Sequence, residues 1–217
     1  MNLHRAYLSL CGFYSLLILI GLIALLVGGG SLIALLQLGV GAVAVIGLWG
    51  YFLGKGFMNP RMWRFLAGLL AIGIVVQLIA VFTVPLSGAA LTWTLTAGIF
   101  SVLPTLLLYR YGNRDQALWA SPAALEGGEV LGELLETQPE LTVEKQMEDR
   151  RASVRIRKAG DAYCASVVRQ QEEEEKEERF EERFRCPATL ASFIETFTCI
   201  SVRDFADKYA GKRASAA

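Results

Sequence analysis

Arg151, Arg155 and Arg157 are the residues of this chain best suited to hold a ligand. They alternate with Ala152, Val154 and Ile156, so in an extended strand they share one face with Ser153. Guanidinium groups spaced along a strand can offer planar, bidentate donors to successive phosphates. Lys158, beside the turn that follows, adds a fourth cation. Arg151, Arg155, Arg157 and Lys158 therefore form the candidate ligand-binding set, and the ligand they suit is an anion. The same pattern also fits a solvated face screened by the glutamates nearby.

Other reactive residue types are sparse. The one histidine, His4, precedes the first apolar run, and Asp115 has no acidic neighbour with which to form a metal cluster. Cys11, Cys164, Cys186 and Cys199 are too scattered for a C-x-x-C metal pair or a disulfide framework, so free thiols are expected. The glutamates of Glu172–Glu182 lack the Asp/Asn-rich, Gly-containing loop of a calcium site. With no Gly-rich phosphate loop and no nucleophile–base pair, the expectation is a non-enzymatic protein without metal or cofactor.

The arginines need a sheet to position them. Ala152–Lys158 and Ala162–Arg169 read as a hairpin closed by Ala159-Gly160-Asp161, and Arg179–Cys186 as a third strand. Ser121-Pro122 starts a helix running to about Thr137, with Glu126, Glu129, Glu133, Glu136 and Glu140 on one side and Leu125, Leu131, Leu134 and Leu135 on the other. Gly127, Gly128 and Gly132 weaken it. In the charge run Gln170–Arg185, the pairs Glu172/Lys176, Glu175/Arg179 and Glu181/Arg185 suit an exposed helix, and the run reads as a charged loop or helical extension leading into the third strand. After Pro187, Leu190, Phe193, Ile194 and Phe197 form a helical face. Ser201-Val202-Arg203-Asp204 resembles a capping box ahead of a last helix that frays from Ala210. The order is ββ(β)αα, a small α+β domain.

The larger part of the architecture precedes this domain. Ala6 to Tyr109 contains no acidic residue, and its basic residues, Lys55, Arg61 and Arg64, lie together. The apolar runs Ala6–Val27, Leu32–Leu53, Phe65–Pro85 and Leu91–Tyr109 each approach the roughly twenty residues needed to cross a bilayer. None carries the polar stripe of a soluble helix. Charge divides in the same place: six basic residues and one acid up to Leu125, fifteen basic and twenty acidic beyond. The fold class is a membrane α-helical block of four spans followed by a cytoplasmic α+β domain. Its divisions are residues 1–114 for the spans, 115–140 for a linker helix and 141–217 for the domain.

Orientation follows from the basic residues. Arg5, then Lys55, Arg61 and Arg64, then Arg110 and Arg114 alternate with two uncharged connections, Gly28–Ser31 and Leu86–Ala90. The positive-inside rule places both termini in the cytoplasm and the protein in the cell's inner (plasma) membrane. The first run is too long for a secretory leader and reads as a retained span.

Inside the spans there is no Asp, Glu, Lys, Arg or His, which argues against an ion-coupled transporter. Gly50 and Gly54 form a G-x-x-x-G pair suited to close helix packing. Gln37 and Gln77 fall at similar depth, where a mutual hydrogen bond is expected. Thr94, Gly98, Ser101 and Thr105 make a small, mildly polar stripe beside Pro104, which should kink the fourth span. That stripe can seat a neighbouring helix or line a pore. A pore needs several subunits, so a homo-oligomer, a tetramer, is the expectation.

Four short spans, a sensor-sized cytoplasmic domain and no catalytic motif resemble prokaryotic antiviral membrane effectors associated with type III CRISPR systems. The resemblance implies an inner-membrane sensor-effector whose cytoplasmic domain binds a cyclic oligonucleotide second messenger and perturbs the membrane. Arg151, Arg155 and Arg157 would be the phosphate contacts, and duplex nucleic acid is not expected. The alternative is a structural or assembly subunit whose tail docks a protein partner.

Overall fold

A computed structural model describes residues 3–29, 31–147, 150–171 and 177–214. The chain forms two compact units, Met1–Asn113 and Arg114–Ala217.

The first unit holds four helices, α1 (Leu3–Gly28), α2 (Leu32–Leu53), α3 (Pro60–Thr83) and α4 (Gly88–Tyr111), each long and apolar enough to cross a membrane. Their ends are set by polar caps that the hydropathy pattern alone does not locate. Ser31 accepts a hydrogen bond from the Ala34 amide at 3.2 Å, and Ser87 from the Ala90 amide at 3.4 Å. The third helix starts at Pro60 rather than Phe65, because Asn59 caps it and proline suits a first helical position. It stops at Thr83 because Pro85 disfavours a helical backbone at Val84, which is extended. α1 packs on α2, α2 on α4 and α4 on α3, so the two hairpins join through α2 and α4.

The end carrying the α2–α3 loop is the best packed. Trp63, Leu108 and Tyr111 are fully buried there beside Leu48. The Tyr111 hydroxyl donates to the Lys55 carbonyl at 2.7 Å and accepts from the Phe57 amide at 2.8 Å. The Trp63 indole donates to the Phe57 carbonyl at 2.6 Å. Two aromatic side chains thus hold backbone groups of the loop that no helix satisfies.

In the second unit, a short 3-10 turn (Ala117–Trp119) precedes α5 (Pro122–Thr137). Four strands follow, β1 (Glu140–Gln146), β2 (Arg150–Ala159), β3 (Ala162–Gln171) and β4 (Glu177–Phe184), then α6 (Pro187–Phe197) and α7 (Val202–Ala214). The strands form one antiparallel meander in the order β1-β2-β3-β4. The predicted hairpin and third strand are present. β1 is an addition: only Leu141 and Val143 mark it, and pairing with β2 makes it a strand.

Leu141, Val154, Ile156, Ala165 and Val167 face Leu131 of α5, Leu190 and Ile194 of α6 and Phe205 of α7, all fully buried. All three helices therefore contribute to one core, and α5, expected as a linker, is one of its walls. Gly128 explains how: a β-carbon there would meet the backbone of Pro187 and Ala188, so α5 and α6 approach because the side chain is absent. Phe193 of α6 stacks among Phe180, Phe184 and Phe197, with ring centroids 4.9–5.9 Å away.

Three polar contacts close the unit. The Asp115 carboxylate accepts the Arg185 and Cys186 amides at 2.6 and 2.9 Å, fixing the β4–α6 junction. Asp204 accepts the Ser201 amide at 2.7 Å, as a capping box requires, and takes Lys145 of β1 at 2.8 Å. Tyr209 of α7 accepts from the Thr142 amide at 2.8 Å and donates to its carbonyl at 3.2 Å, covering part of the β1 edge.

Candidate functional site

Strand alternation sends Val154 and Ile156 into the core and places Arg151, Ser153, Arg155 and Arg157 on the opposite face, which no helix of the unit covers. The register lays out that open face in rungs. One reads Glu140, Arg157, Cys164, Arg183; the next Thr142, Arg155, Ser166, Glu181; the third Glu144, Ser153, Val168, Arg179. Lys158 lies on the alternate pleat, so the structure brings the three arginines together and sets Lys158 apart from them.

Each of the three arginines has a carboxylate. Arg155 grips Glu140 diagonally with two bonds, at 2.6 and 2.7 Å. Arg151 lies 3.7 Å from Glu144. Arg157 reaches past β3 to Glu181 on β4, at 3.1 Å. Two inter-strand spacings are about 9.5 Å, and that reach is open because β3 presents only Cys164 and Ser166 along it. The Arg155 hydrogen bond, foremost, holds the Glu140 carboxyl below its ordinary range, and Glu140 raises Arg155 in turn. The face is therefore a mosaic of opposite charges.

The glutamates were legible in the sequence, but their partners were not. Glu181, whose spacing from Arg185 also suits a helix, lies in the expected strand and pairs with Arg157. Glu172, Glu175 and Lys176 lie outside the described residues. Among the described residues no group of three His, Cys, Asp or Glu could hold a metal ion.

In the helical unit the singled-out residues separate by role. A β-carbon on Gly50 would collide with Tyr111 and Phe57, so Gly50 is a close-approach site between α2 and the α4 end. Gly54 ends α2 in a left-handed conformation (φ 63°) with open space around it, so it is a C-cap and not half of a packing pair. The hydroxyls of Thr94, Ser101 and Thr105 donate to their own helix at Ala90, Ala97 and Ser101 (2.7–2.8 Å), which leaves the stripe less polar than its composition. Gly98 of that stripe seats Gln77 of α3. The Gln37–Gln77 bond is not formed: Gln37 is exposed, and the Gln77 Oε1 is buried without a hydrogen-bond partner. α4 runs on through Pro104, whose missing N–H leaves the Phe100 carbonyl free. The Tyr14 hydroxyl of α1 donates to that carbonyl, a pairing that no sequence spacing announces.

No protein family, curated relative or solved structure matches the chain.

Proposed function

We propose that this chain is a non-enzymatic multi-pass membrane protein that docks a protein partner through the open face of its sheet. Both termini lie on the cytoplasmic side in this reading, because every basic connection falls at one end of the spans. The observation that carries it is the Arg155–Glu140–Arg157–Glu181 mosaic. A row of alternating charges held across three strands gives register to a complementary protein surface, whereas a free phosphate needs uncompensated cations. The core beneath is packed by three helices, so the face is a rigid platform.

Anion sensing is the second reading, favoured by the exposure of the same pairs. Arg155 and Arg157 stay 61% and 60% exposed, and ion pairs so open to solvent are weak and readily exchanged. A cyclic oligonucleotide held among symmetry-related copies, a tetramer for instance, could displace the carboxylates and act on the membrane block.

One pair of measurements separates them. A photo-crosslinking residue at Ser153 or Ser166 of the full-length protein should give a discrete protein adduct in cells. The adduct should vanish in Arg155→Glu and stay absent in Arg155→Glu/Glu140→Arg, which restores the internal ion pair but inverts the charge pattern offered to the partner. Calorimetric titration of the full-length protein with cyclic oligoadenylates should be silent. Saturable binding lost in Arg155→Glu/Arg157→Glu, without a protein adduct, would establish the sensor instead.

A further inference from the structure

We propose that the groove between α1, α2 and α4 binds one acyl chain of a membrane phospholipid. The groove has a volume of about 590 Å³, within the range of roughly 300–1,000 Å³ typical of small-molecule sites. Leu17 and Gly21 of α1, Gly41 and Ala44 of α2, and Trp93 and Ala97 of α4 form its walls. It exists because α1 lies along α2 and meets α4 mainly at one end. There the Phe13 and Phe100 rings stand 5.6 Å apart, Tyr14 bonds the Phe100 carbonyl, and Cys11 packs near Leu107.

Three properties select the occupant. No charged residue lines the groove, the Tyr14 and Ser101 hydroxyls on its wall already donate to helix carbonyls, and Thr96 adds a single further hydroxyl, so it offers little to water or a polar ligand. Its long side is continuous with the exposed apolar surface of the four helices, since Ile20 and Phe100 line it while remaining half-exposed. Its depth fits one leaflet: Trp93 to Pro104 is eleven helical steps, about 16 Å, against about 15 Å for half the hydrocarbon core. Trp93, 76% exposed, stands at the mouth, where an indole favours the interface. An unfilled space of this size would forfeit dispersion contacts along every wall. The inference is independent of any docking by the water-facing domain.

The test is photolabelling of the full-length protein in vesicles of phosphatidylethanolamine and phosphatidylglycerol. A trace of phosphatidylethanolamine carries a diazirine midway along one acyl chain, and adducts are mapped by mass spectrometry. Leu17 and Ala97 should be labelled several-fold more than Ile72 and Val75, which sit on the exposed face of α3. Ala97→Phe and, separately, Ala24→Trp should each reduce groove labelling several-fold and leave Ile72 and Val75 unchanged. Even labelling of groove and exposed positions in the unaltered protein overturns the proposal, as does groove labelling that survives both substitutions. A photo-crosslinking residue placed at Ala97 that gives a protein–protein adduct of doubled mass would assign the groove to a second copy, and also overturn it.

Discussion

The Tyr111 hydroxyl occupies the space that a β-carbon on Gly50 would need. Because that hydroxyl is bonded both to the Lys55 carbonyl and to the Phe57 amide, it cannot move aside without breaking the α2–α3 loop. Gly50→Ala should therefore destabilise the helical unit by about 1–3 kcal/mol, read as a lowered unfolding temperature in mild detergent. Gly54→Ala, strained by its left-handed backbone but free of contacts, should leave the Tyr111 bonds intact and spare the near-ultraviolet aromatic signal that Gly50→Ala alters.

Gln77 behaves as a burden on the α3–α4 contact, since its Oε1 is buried without a partner. Gln77→Met keeps the volume and removes the unpaired acceptor. It should be neutral or stabilising by up to about 1 kcal/mol, measured by detergent or thermal unfolding. A clear loss of stability would mean that the amide does bind a partner.

Asp204 joins a helix start to the first strand. Burial pushes its carboxyl upward, but the Lys145 and Ser201 hydrogen bonds outweigh this and leave it lowered. A lowered carboxyl contributes stability above its unfolded value, near 3.9, and loses it as pH falls through the lower folded value. Asp204→Ala should cost about 1–2 kcal/mol at neutral pH. The gap from the unaltered protein should hold while pH stays well above about 4 and narrow below it. Chemical denaturation across pH checks both statements.

Asp115 ties the turn before α5 to the β4–α6 junction through two charged hydrogen bonds. Asp115→Ala should cost roughly 1.5–3 kcal/mol and accelerate hydrogen exchange at Arg185 and Cys186 well before the β2–β3 core exchanges. Unchanged exchange at those two amides would remove Asp115 from this role.

The proposed orientation has a direct chemical readout. Single cysteines at Ser31 and Ser87, the caps of α2 and α4, should react with a membrane-impermeant thiol reagent in intact cells. Cys164, half-buried on the open face, should react only after the membrane is breached. Rapid labelling of Cys164 in intact cells would reverse the orientation.

The sequence by itself determined the four helices, the β2–β3 hairpin and the Ser201–Asp204 cap. Each rests on a signal contained within a few turns: an uninterrupted apolar run, alternation around Ala159-Gly160-Asp161, or a cap three residues from its partner. What only the tertiary structure decided depends on residues far apart in the chain. β1 became a strand because β2 offered it an edge, although its own apolar content is two residues. α5 joined the core because Gly128 let Pro187 and Ala188 approach. The arginines of β2 were placed on one face by local alternation, but their neutralisation required Glu140 and Glu181 to arrive from two other strands. In the helical unit, local composition paired Gly50 with Gly54 and Gln37 with Gln77. Packing gave Gly50 to Tyr111, Gln77 to Gly98 and the carbonyl freed by Pro104 to Tyr14. Backbone propensity and hydropathy act within one element, whereas close approach and charge pairing are properties of two elements, and no single stretch of sequence contains both.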